Sequence, residues 1–297
     1  MVKIIMEILQ RMKEYDQPHC WQYDIRLKNL QDDLRDSNIA KEESDKLTVS
    51  DFEFKCVEGT SKDKKPLIDF IKRHEWLGTI SQYPTHWFGC YYKDILAGVL
   101  IFNMPNAFSK LLGEETRSME RLISRGACIS WSPKNLASAF LMWSINYMVK
   151  NTSYRLFTAY SDPMAKELGT IYQACNFYYL GKKSGTVTRY INPYTGKMVS
   201  DRFFRVRSAY KKYAKELNIV WNKNWNNDQK MLWENVPEEV EILLKNKSKE
   251  VQKESKKLSF PEKHKYAYVI GATKSETKKL RKIFLDRNKV YPYPKDR

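Results

Sequence analysis

The sequence predicts a mixed α/β fold, of α+β character, in which helices flank a mixed central sheet. Segments with the alternating apolar pattern of strands are interleaved with segments whose apolar residues recur at helical spacing. Hydrophobic residues make up 42% of the 297-residue chain and aromatic residues 13%, which is sufficient for a packed core. A helical N-terminal segment and a basic C-terminal extension complete the prediction.

The strand and helix patterns lie in the middle of the chain. Residues 47–59 are β-type residues with partial alternation, and residues 66–78 start with a proline suited to the first turn of a helix. Two apolar runs within 86–105 flank a turn at Lys93-Asp94 and predict a hairpin. The remaining elements are a strand at 121–131, a helix at 132–151, a strand at 154–163, a helix and a strand within 169–181, and a hairpin within 188–206.

Strands that alternate with helices in this way imply a mixed sheet covered by helices. The order of the elements is that of the GNAT acetyltransferase fold, so we expect a GNAT-like core at residues 47–206. Residues 1–46 are charged and predicted to be helical. Residues 207–297 form the basic extension, which ends in a strand at 263–271 and a helix at 275–288.

Positive charge is concentrated in the last third of the chain. Residues 1–181 hold 23 Lys/Arg and 22 Asp/Glu, whereas residues 182–297 hold 29 and 13, out of a net charge of +17. A polyanion is the natural partner of such a field, and double-stranded DNA is the partner that we expect. The alternative is a solvated lysine-rich surface without a ligand.

Other classes of protein are disfavoured by the sequence. No apolar run reaches the roughly 18 residues of a membrane span, and the N-terminus carries Glu7 and lacks a small-residue cleavage site, so we expect neither a membrane protein nor a signal peptide. The five cysteines are scattered without a CxxC pair, which predicts reduced thiols in the cytoplasm and no structural zinc site. No stable protein partner is indicated.

The segment 155–181 is the first candidate site. Its strand ends at Tyr160 and Asp162, and a helix follows that opens with Gly169-Thr170. Ligands bind at the carboxyl ends of strands in open α/β sheets, and a carboxylate there can act as a base or orient an amine. The amides of the helix start, with Thr170, can hold an anion. The alternative is that Asp162-Pro163 is only a turn.

The second candidate site is the turn between the predicted strand 121–131 and the helix 132–151. Ser132, Lys134, Asn135 and Ser138 lie where this fold holds a phosphate or carbonyl of a donor. The alternative is that Ser132 is an ordinary helix cap and Lys134 an exposed residue. Acetyl-CoA is a possible donor, but enzymes that use it carry a glycine-rich loop here, and this chain has SWSPKN.

His74, in the stretch RHEWLG, is a third candidate. A lone histidine is more often structural than catalytic, although Glu75, Trp76 and Gly78 are consistent with the rim of a cleft. It is also the best histidine for a metal site, with Asp162 as a conceivable partner. Two residues do not make a metal site, so the metal requirement stays open.

Three stretches together resemble the Mom family of DNA modification proteins, the bacteriophage Mu type. They are HEWLG, RLISRGACISWSPKNLASAFL and YSDPMAKELGTIYQACNFYYLG, and they span roughly residues 70–181. The last one resembles the family's Tyr-Ala-Asp-Pro followed by Gly-Thr-Ile-Tyr-Gln-Ala, with Ser161 in place of the alanine. The resemblance implies a GNAT-related fold that modifies the N6 amine of adenine in duplex DNA to a carbamoylmethyl derivative and so protects phage DNA from restriction.

The resemblance also assigns roles to residues. It implies catalytic candidates at Asp162, Tyr160, Arg121, Ser124 and His74. Lys134, Asn135 and Ser138 would then line the donor side, and Thr170, Tyr172 and Gln173 would complete the pocket. Aromatic side chains such as Trp131, Tyr160 and Tyr172 can stack on an adenine that has left the duplex.

Two other functions are consistent with the sequence. One is an acetyl-CoA-dependent N-acetyltransferase that acts on a small amine or a protein, which the missing glycine loop disfavours. The other is a basic nucleic-acid-binding protein without catalytic activity. We expect an enzyme that acts in the cytoplasm, that of the bacterial host if the chain is encoded by a phage.

Overall fold

The computed structural model describes residues 19–80, 83–105, 107–183, 187–196, 198–227 and 230–295. The chain divides into two compact units. The described residues of the larger unit lie within Asp16–Gly185 and Glu262–Arg297, and those of the smaller unit lie within Thr186–Pro261. The N-terminal helical prediction can be compared with the structure only from residue 19 onwards.

The helices and strands are numbered in chain order. The helices are α1 (Trp21–Ser37), α2 (Lys41–Ser44), α3 (Ser61–His74), α4 (Leu136–Asn151), α5 (Thr170–Ala174), α6 (Arg207–Glu216), α7 (Glu238–Glu254) and α8 (Lys274–Arg287). The strands are β1 (Glu53–Cys56), β2 (Pro84–Tyr92), β3 (Ile95–Asn103), β4 (Glu120–Cys128), β5 (Leu156–Ser161), β6 (Tyr178–Lys182), β7 (Val187–Ile191), β8 (Met198–Ser200), β9 (Lys257–Phe260) and β10 (His264–Val269).

The larger unit is built on a seven-stranded mixed sheet in the order β1-β2-β3-β4-β5-β10-β6. Strands β1 to β4 are antiparallel neighbours, β5 is parallel to β4, and β10 is antiparallel to both β5 and β6. The predicted hairpin around Lys93-Asp94 is β2–β3. Helices cover the sheet, so the predicted α/β fold with a mixed central sheet flanked by helices is confirmed.

Strand β10 comes from the far end of the chain and lies inside the sheet. Its residues His264 to Val269 pair with Ser161 to Leu156 of β5. The sequence predicts a strand at 263–271, and the structure inserts it between two strands that are close in sequence. Tyr266, Ala267 and Val269 are fully buried, so β10 is an interior strand of the core.

Helices α3 and α4 start at residues other than those predicted. Helix α3 begins at Ser61, five residues before Pro66, because Thr60 and Asp63 form a capping box. Helix α4 begins at Leu136, so Ser132 is not its cap. The missing cap at Ser132 has a physical reason, because the backbone carbonyl of Ser132 is bound by the guanidinium of Arg26 at 3.0 Å.

Two clusters of buried side chains lie within the larger unit. The main one joins β1 to β5 with α3 and α4, and includes the fully buried Ile71, Phe102 and Phe157. A second one packs Leu280 and Phe284 of α8 together with side chains of β5, β6 and β10. The sheet is therefore buried on both faces, as its near-continuous apolar strands require.

The smaller unit has its own core. Strands β8, β7 and β9 form a three-stranded antiparallel sheet, and the β7–β8 hairpin is the one predicted around residues 193–196. The tryptophan-rich stretch 221–233 packs against Tyr213 and Leu244 of helices α6 and α7. Among the residues that the structure describes, no helix is both long enough and apolar enough to cross a membrane.

Candidate functional site

A cleft opens in the larger unit where β4 and β5 separate. The two strands pair only from Glu120–Leu156 to Ile123–Ala159, while β4 continues to Cys128 along β3. The cleft has a volume of about 330 Å³, at the lower end of the roughly 300 to 1,000 Å³ typical of ligand sites. It lies at the carboxyl ends of two parallel strands, which is where open α/β sheets bind ligands.

Two carboxylates enter the cleft from the loop after β5. Asp162 is 8% exposed, its Oδ1 accepts the N–H of Met164 at 3.0 Å, and its Oδ2 lies 2.8 Å from Nζ of Lys263. Glu167 accepts the N–H of Asp162 at 3.1 Å and the indole N–H of Trp76 at 2.9 Å. Burial, together with the nearby charge of Asp162, raises the pKa of Glu167 above its usual range.

Glu75 supplies a third carboxylate to the cleft. It is the first residue after α3, and its side chain is 10% exposed. Its Oε2 accepts the N–H of Gly78 at 2.8 Å, and its Oε1 lies 3.8 Å from Nε of Arg125. Burial raises the pKa of Glu75 to about 7 despite the opposing attraction of Arg125. A carboxyl with this pKa can both accept and donate a proton near neutral pH.

The turn that carries Glu75 depends on glycine. Gly78 has φ +59, and a Cβ added to it would lie 3.2 Å from the carbonyl oxygen of Lys72. Gly169, on the opposite wall, has φ +67, and its Cβ would lie 2.5 Å from the ring of Tyr266. Glycine is therefore required at both positions, because only it adopts this backbone conformation without strain in so little space.

Aromatic side chains line the cleft between the acidic groups. Tyr160 is 36% exposed, and its ring lies 5.7 Å from Nζ of Lys265. Tyr172 is half-buried and lies close enough to Glu75 and Glu167 for their charges, after burial, to raise its pKa. Burial raises the pKa of the Cys128 thiol to about 11, so this thiol stays protonated at neutral pH.

Five of the residues predicted for the site line this cleft. They are Ser124, Tyr160, Asp162, Thr170 and Tyr172. The hydroxyl of Ser124 donates to Oδ1 of Asn103 at 2.6 Å, and Thr170 is exposed at the start of α5. The structure thus brings the two halves of the 155–181 segment together with the end of β4.

His74 and Arg121 lie elsewhere. His74 is 5% exposed at the end of α3, with Nδ1 3.5 Å from Oδ2 of Asp33, and burial lowers its pKa to about 4. Arg121 is buried, lies over the ring of Tyr154 and donates to the carbonyl of Glu120 at 2.7 Å. Neither side chain lines the cleft, and both have structural partners.

The turn predicted to hold a donor phosphate is occupied by contacts from α1. The carboxylate of Asp33 accepts the N–H of Ser130 at 3.2 Å, and Arg26 donates to the carbonyls of Ser130 and Ser132 at 2.9 and 3.0 Å. Pro133 offers no N–H. Asp33 is itself paired with Arg73 at 2.7 Å, and because it binds the N–H of Ser130, that amide is not free for a donor phosphate.

The other residues predicted for the donor side or the pocket do not line the cleft. Lys134 and Asn135 are exposed, and Ser138 donates to the carbonyl of Asn135 at 3.0 Å. Trp131 is buried and donates to Oγ of Ser37 at 3.1 Å, while Gln173 donates to the carbonyl of Leu168 at 2.8 Å. Within the described part of the chain, no group of three or more His, Cys, Asp or Glu side chains could hold a metal ion.

Sequence reasoning missed three groups of the cleft. Glu75 was noted only as a neighbour of His74, yet the helix ends at His74 and the next side chain enters the cleft. Glu167 had one available signal, its position as an acidic residue in a short loop between a strand and a helix. Lys263 had none, because it reaches Asp162 from a strand more than 100 residues away.

Comparisons with known proteins bear on this fold. One similar solved structure is the Bacillus subtilis acetyltransferase in complex with CoA, with 8% identity and a TM-score of 0.34 over 74% of this chain and 99% of that chain. A second is the ribosomal L7/L12 α-N-protein acetyltransferase RimL, with 12% identity and a TM-score of 0.35 over 75% of this chain and 95% of that chain. A third is a GNAT family acetyltransferase from Elizabethkingia anophelis with acetyl-CoA bound, with 10% identity and a TM-score of 0.32 over 74% of this chain and 99% of that chain. No curated protein matches the chain.

One family matches most of the sequence. The match to the Mom protein family covers residues 61–295. This range includes β10, α8 and all residues that line the cleft except Cys20, Gln22 and Arg26. The extent of the match includes the three stretches in which the sequence resembles that family. The chain belongs to the Mom protein family.

Proposed function

We propose that the chain is a DNA modification enzyme that transfers a small acyl or carbamoylmethyl-type group to the N6 amine of adenine in duplex DNA. The observation that carries the proposal is the cleft at the end of β4 and β5, where Glu75, Asp162 and Glu167 lie among aromatic side chains. Membership of the Mom family supports DNA as the substrate. Such a modification would protect phage DNA from restriction.

The chemistry requires a base. The exocyclic amine of adenine is a poor nucleophile, because its lone pair is delocalised into the ring. In the proposed step, N6 forms a bond to the electrophilic carbon of a donor, the bond from that carbon to its leaving group breaks, and the N6 proton passes to the carboxylate of Glu75. A base whose pKa is about 7 is well matched to this transfer at neutral pH.

Asp162 has a different part in the proposal. Its carboxylate is held by Lys263 and by the N–H of Met164, so it is fixed in orientation. A fixed carboxylate can accept the second N–H of the adenine amine and orient the nitrogen lone pair toward the donor. We therefore assign Asp162 to positioning the amine and Glu75 to removing its proton.

The adenine must leave the duplex to reach the cleft. Extrusion costs a few kcal/mol, and stacking of the base on an aromatic ring offsets part of that cost. Tyr160 supports this step, because its ring is partly exposed at the end of β5, next to Asp162. Lys263, the residue before β10, and Lys265 within it add positive charge beside it.

The test is nucleoside mass spectrometry of DNA from bacteria that express the protein. We expect a new deoxyadenosine derivative of higher mass, reduced roughly 10²- to 10⁴-fold by Glu75→Gln and strongly by Asp162→Asn. Asp94→Asn, in the exposed β2–β3 turn, is the matched control and should retain the derivative. Unmodified DNA from cells with folded protein, together with tight acetyl-CoA binding, would instead favour an N-acetyltransferase.

A further inference from the structure

A ridge of three lysines runs along α8 of the larger unit. Lys274, Lys278 and Lys282 are exposed and lie four residues apart on one face of the helix. At 1.5 Å of rise per residue they are about 6 Å apart along the axis and span about 12 Å. They border an open groove of about 800 Å³ that also includes Tyr178 and Leu285.

Several lysines elsewhere in the protein have partners, unlike the three of the ridge. Lys65 and Lys72 of α3 both pair with Asp69, and Lys211 of α6 lies 5.6 Å from the ring centre of Trp221. Along the described length of α8, the ion pair present is that between Glu276 and Arg155, and the three ridge lysines form none. Like charges four residues apart on an exposed helix face repel each other weakly, and Asp286 of the same groove lies four residues after Lys282. An external anion would relieve this repulsion.

The groove is suited to a backbone rather than to a single small anion. Three amides around the start of α8 are already used, since Gly271 donates to Oγ1 of Thr277, Ala272 to Oε2 of Glu276, and Glu276 to Oγ1 of Thr273. No free backbone cradle for one phosphate exists at these three amides. What the surface offers is a row of mobile ammonium groups at a regular spacing.

We propose that the ridge of Lys274, Lys278 and Lys282 docks one strand of the DNA backbone that flanks the base being modified. The three ridge lysines lie about 6 Å apart, so they face at most about three successive phosphates of one strand, one for each lysine. This inference rests on the proposed function for the identity of the polyanion. It assigns the docking surface to the unit that contains the cleft.

The packing of α8 gives the ridge a fixed relation to the cleft. Leu280 and Phe284 pack the helix against β10 of the central sheet. Lys263, the residue before β10, pairs with Asp162 in the cleft. A rigid helix on a central strand cannot move independently of the site. Phosphates bound at the ridge therefore set where the duplex lies relative to the cleft.

The experiment is the salt dependence of binding of the full-length protein to a short fluorescent DNA duplex. Each phosphate contact contributes about 0.9 to the slope of log K against log salt, so Lys274→Gln/Lys278→Gln/Lys282→Gln should lower the slope by about 2.7. The corresponding Lys→Arg variant keeps the charges and should keep the slope. Lys41→Gln/Lys55→Gln/Lys72→Gln removes the same charge from ion-paired lysines and should change the slope by less than about 1.

The inference is overturned if the ridge variant keeps the wild-type slope, or if the control variant loses as much. It is also overturned if the three ridge lysines contribute to the salt slope with duplex RNA and not with duplex DNA. Binding is measured without a donor, so these outcomes do not depend on catalysis. If the purified protein shows a slope that depends on the ridge but cells that express it contain no modified nucleoside, the proposed function is wrong and the docking surface still stands.

Discussion

Replacing Glu75 by glutamine should stabilise the protein at neutral and basic pH while it removes activity. The pKa of this carboxyl is raised from 4.5 to about 7, so the folded state binds its proton more tightly than the unfolded state does. Below pH 4.5 both states are protonated and the two proteins should be equally stable. The penalty for the buried charge grows as the pH rises and is complete above about 7.

The size of the effect follows from the same values. One pKa unit corresponds to about 1.36 kcal/mol, so ionised Glu75 costs the folded state about 3 kcal/mol at pH 8. Glu75→Gln keeps the shape and removes the charge, and Arg125 retains its bonds to the carbonyls of Thr79 and Ser124. We therefore expect the variant to be more stable than the wild type by about 3 kcal/mol at pH 8.

Urea unfolding at a series of pH values measures this difference. The difference in the free energy of unfolding between Glu75→Gln and the wild type should grow between pH 4.5 and 8. The dependence of that free energy on urea concentration should stay constant. Glu58→Gln, at an exposed position, controls for the loss of one negative charge. A gap that is the same at pH 4.5 and pH 8 would refute the burial of a charge at Glu75 and with it the assignment of the base.

Four further predictions concern the cleft and its support. Gly169→Ala should lower the stability by about 1 to 3 kcal/mol in chemical unfolding, because the site has φ +67 and no room beside Tyr266. Phe157→Ala should cost about 3 to 5 kcal/mol in the same assay, since its fully buried ring leaves a cavity. Tyr160→Leu should weaken binding to duplexes with an unpaired adenine by about 1 to 3 kcal/mol in a fluorescence titration and leave stability unchanged. A chain truncated after Pro261 lacks β10 and should lose the cooperative unfolding of the larger unit, because β5 and β6 lose their common neighbour.

The fold of the core follows from local patterns that the sequence displays. The apolar runs of β2 and β3, the Lys93-Asp94 turn and the apolar stripe of α4 each indicate their element within a few residues. The position of β10 could not be predicted in this way. Its pattern identifies a strand, but the choice of neighbours depends on contacts across about 100 residues.

The site was predictable where it follows the end of a strand. Tyr160 and Asp162 end β5 and face the cleft, as the position of carboxyl ends in α/β sheets requires. His74 and Glu75 are adjacent, and which of them enters the cleft depends on where α3 ends. The contacts of Arg26 and Asp33 with the turn after β4 could not be foreseen, because α1 shows no pattern that indicates them.

The most direct test of the account is to find where an adenine of bound DNA lies on the protein. A duplex that carries 8-azidoadenine can be photo-crosslinked to the full-length protein and the labelled peptides identified by mass spectrometry. Labels within residues 124–128 or 160–172, weakened by Tyr160→Leu, are the predicted result. Labels found only within residues 187–261 would contradict the claim that the cleft between β4 and β5 receives the base.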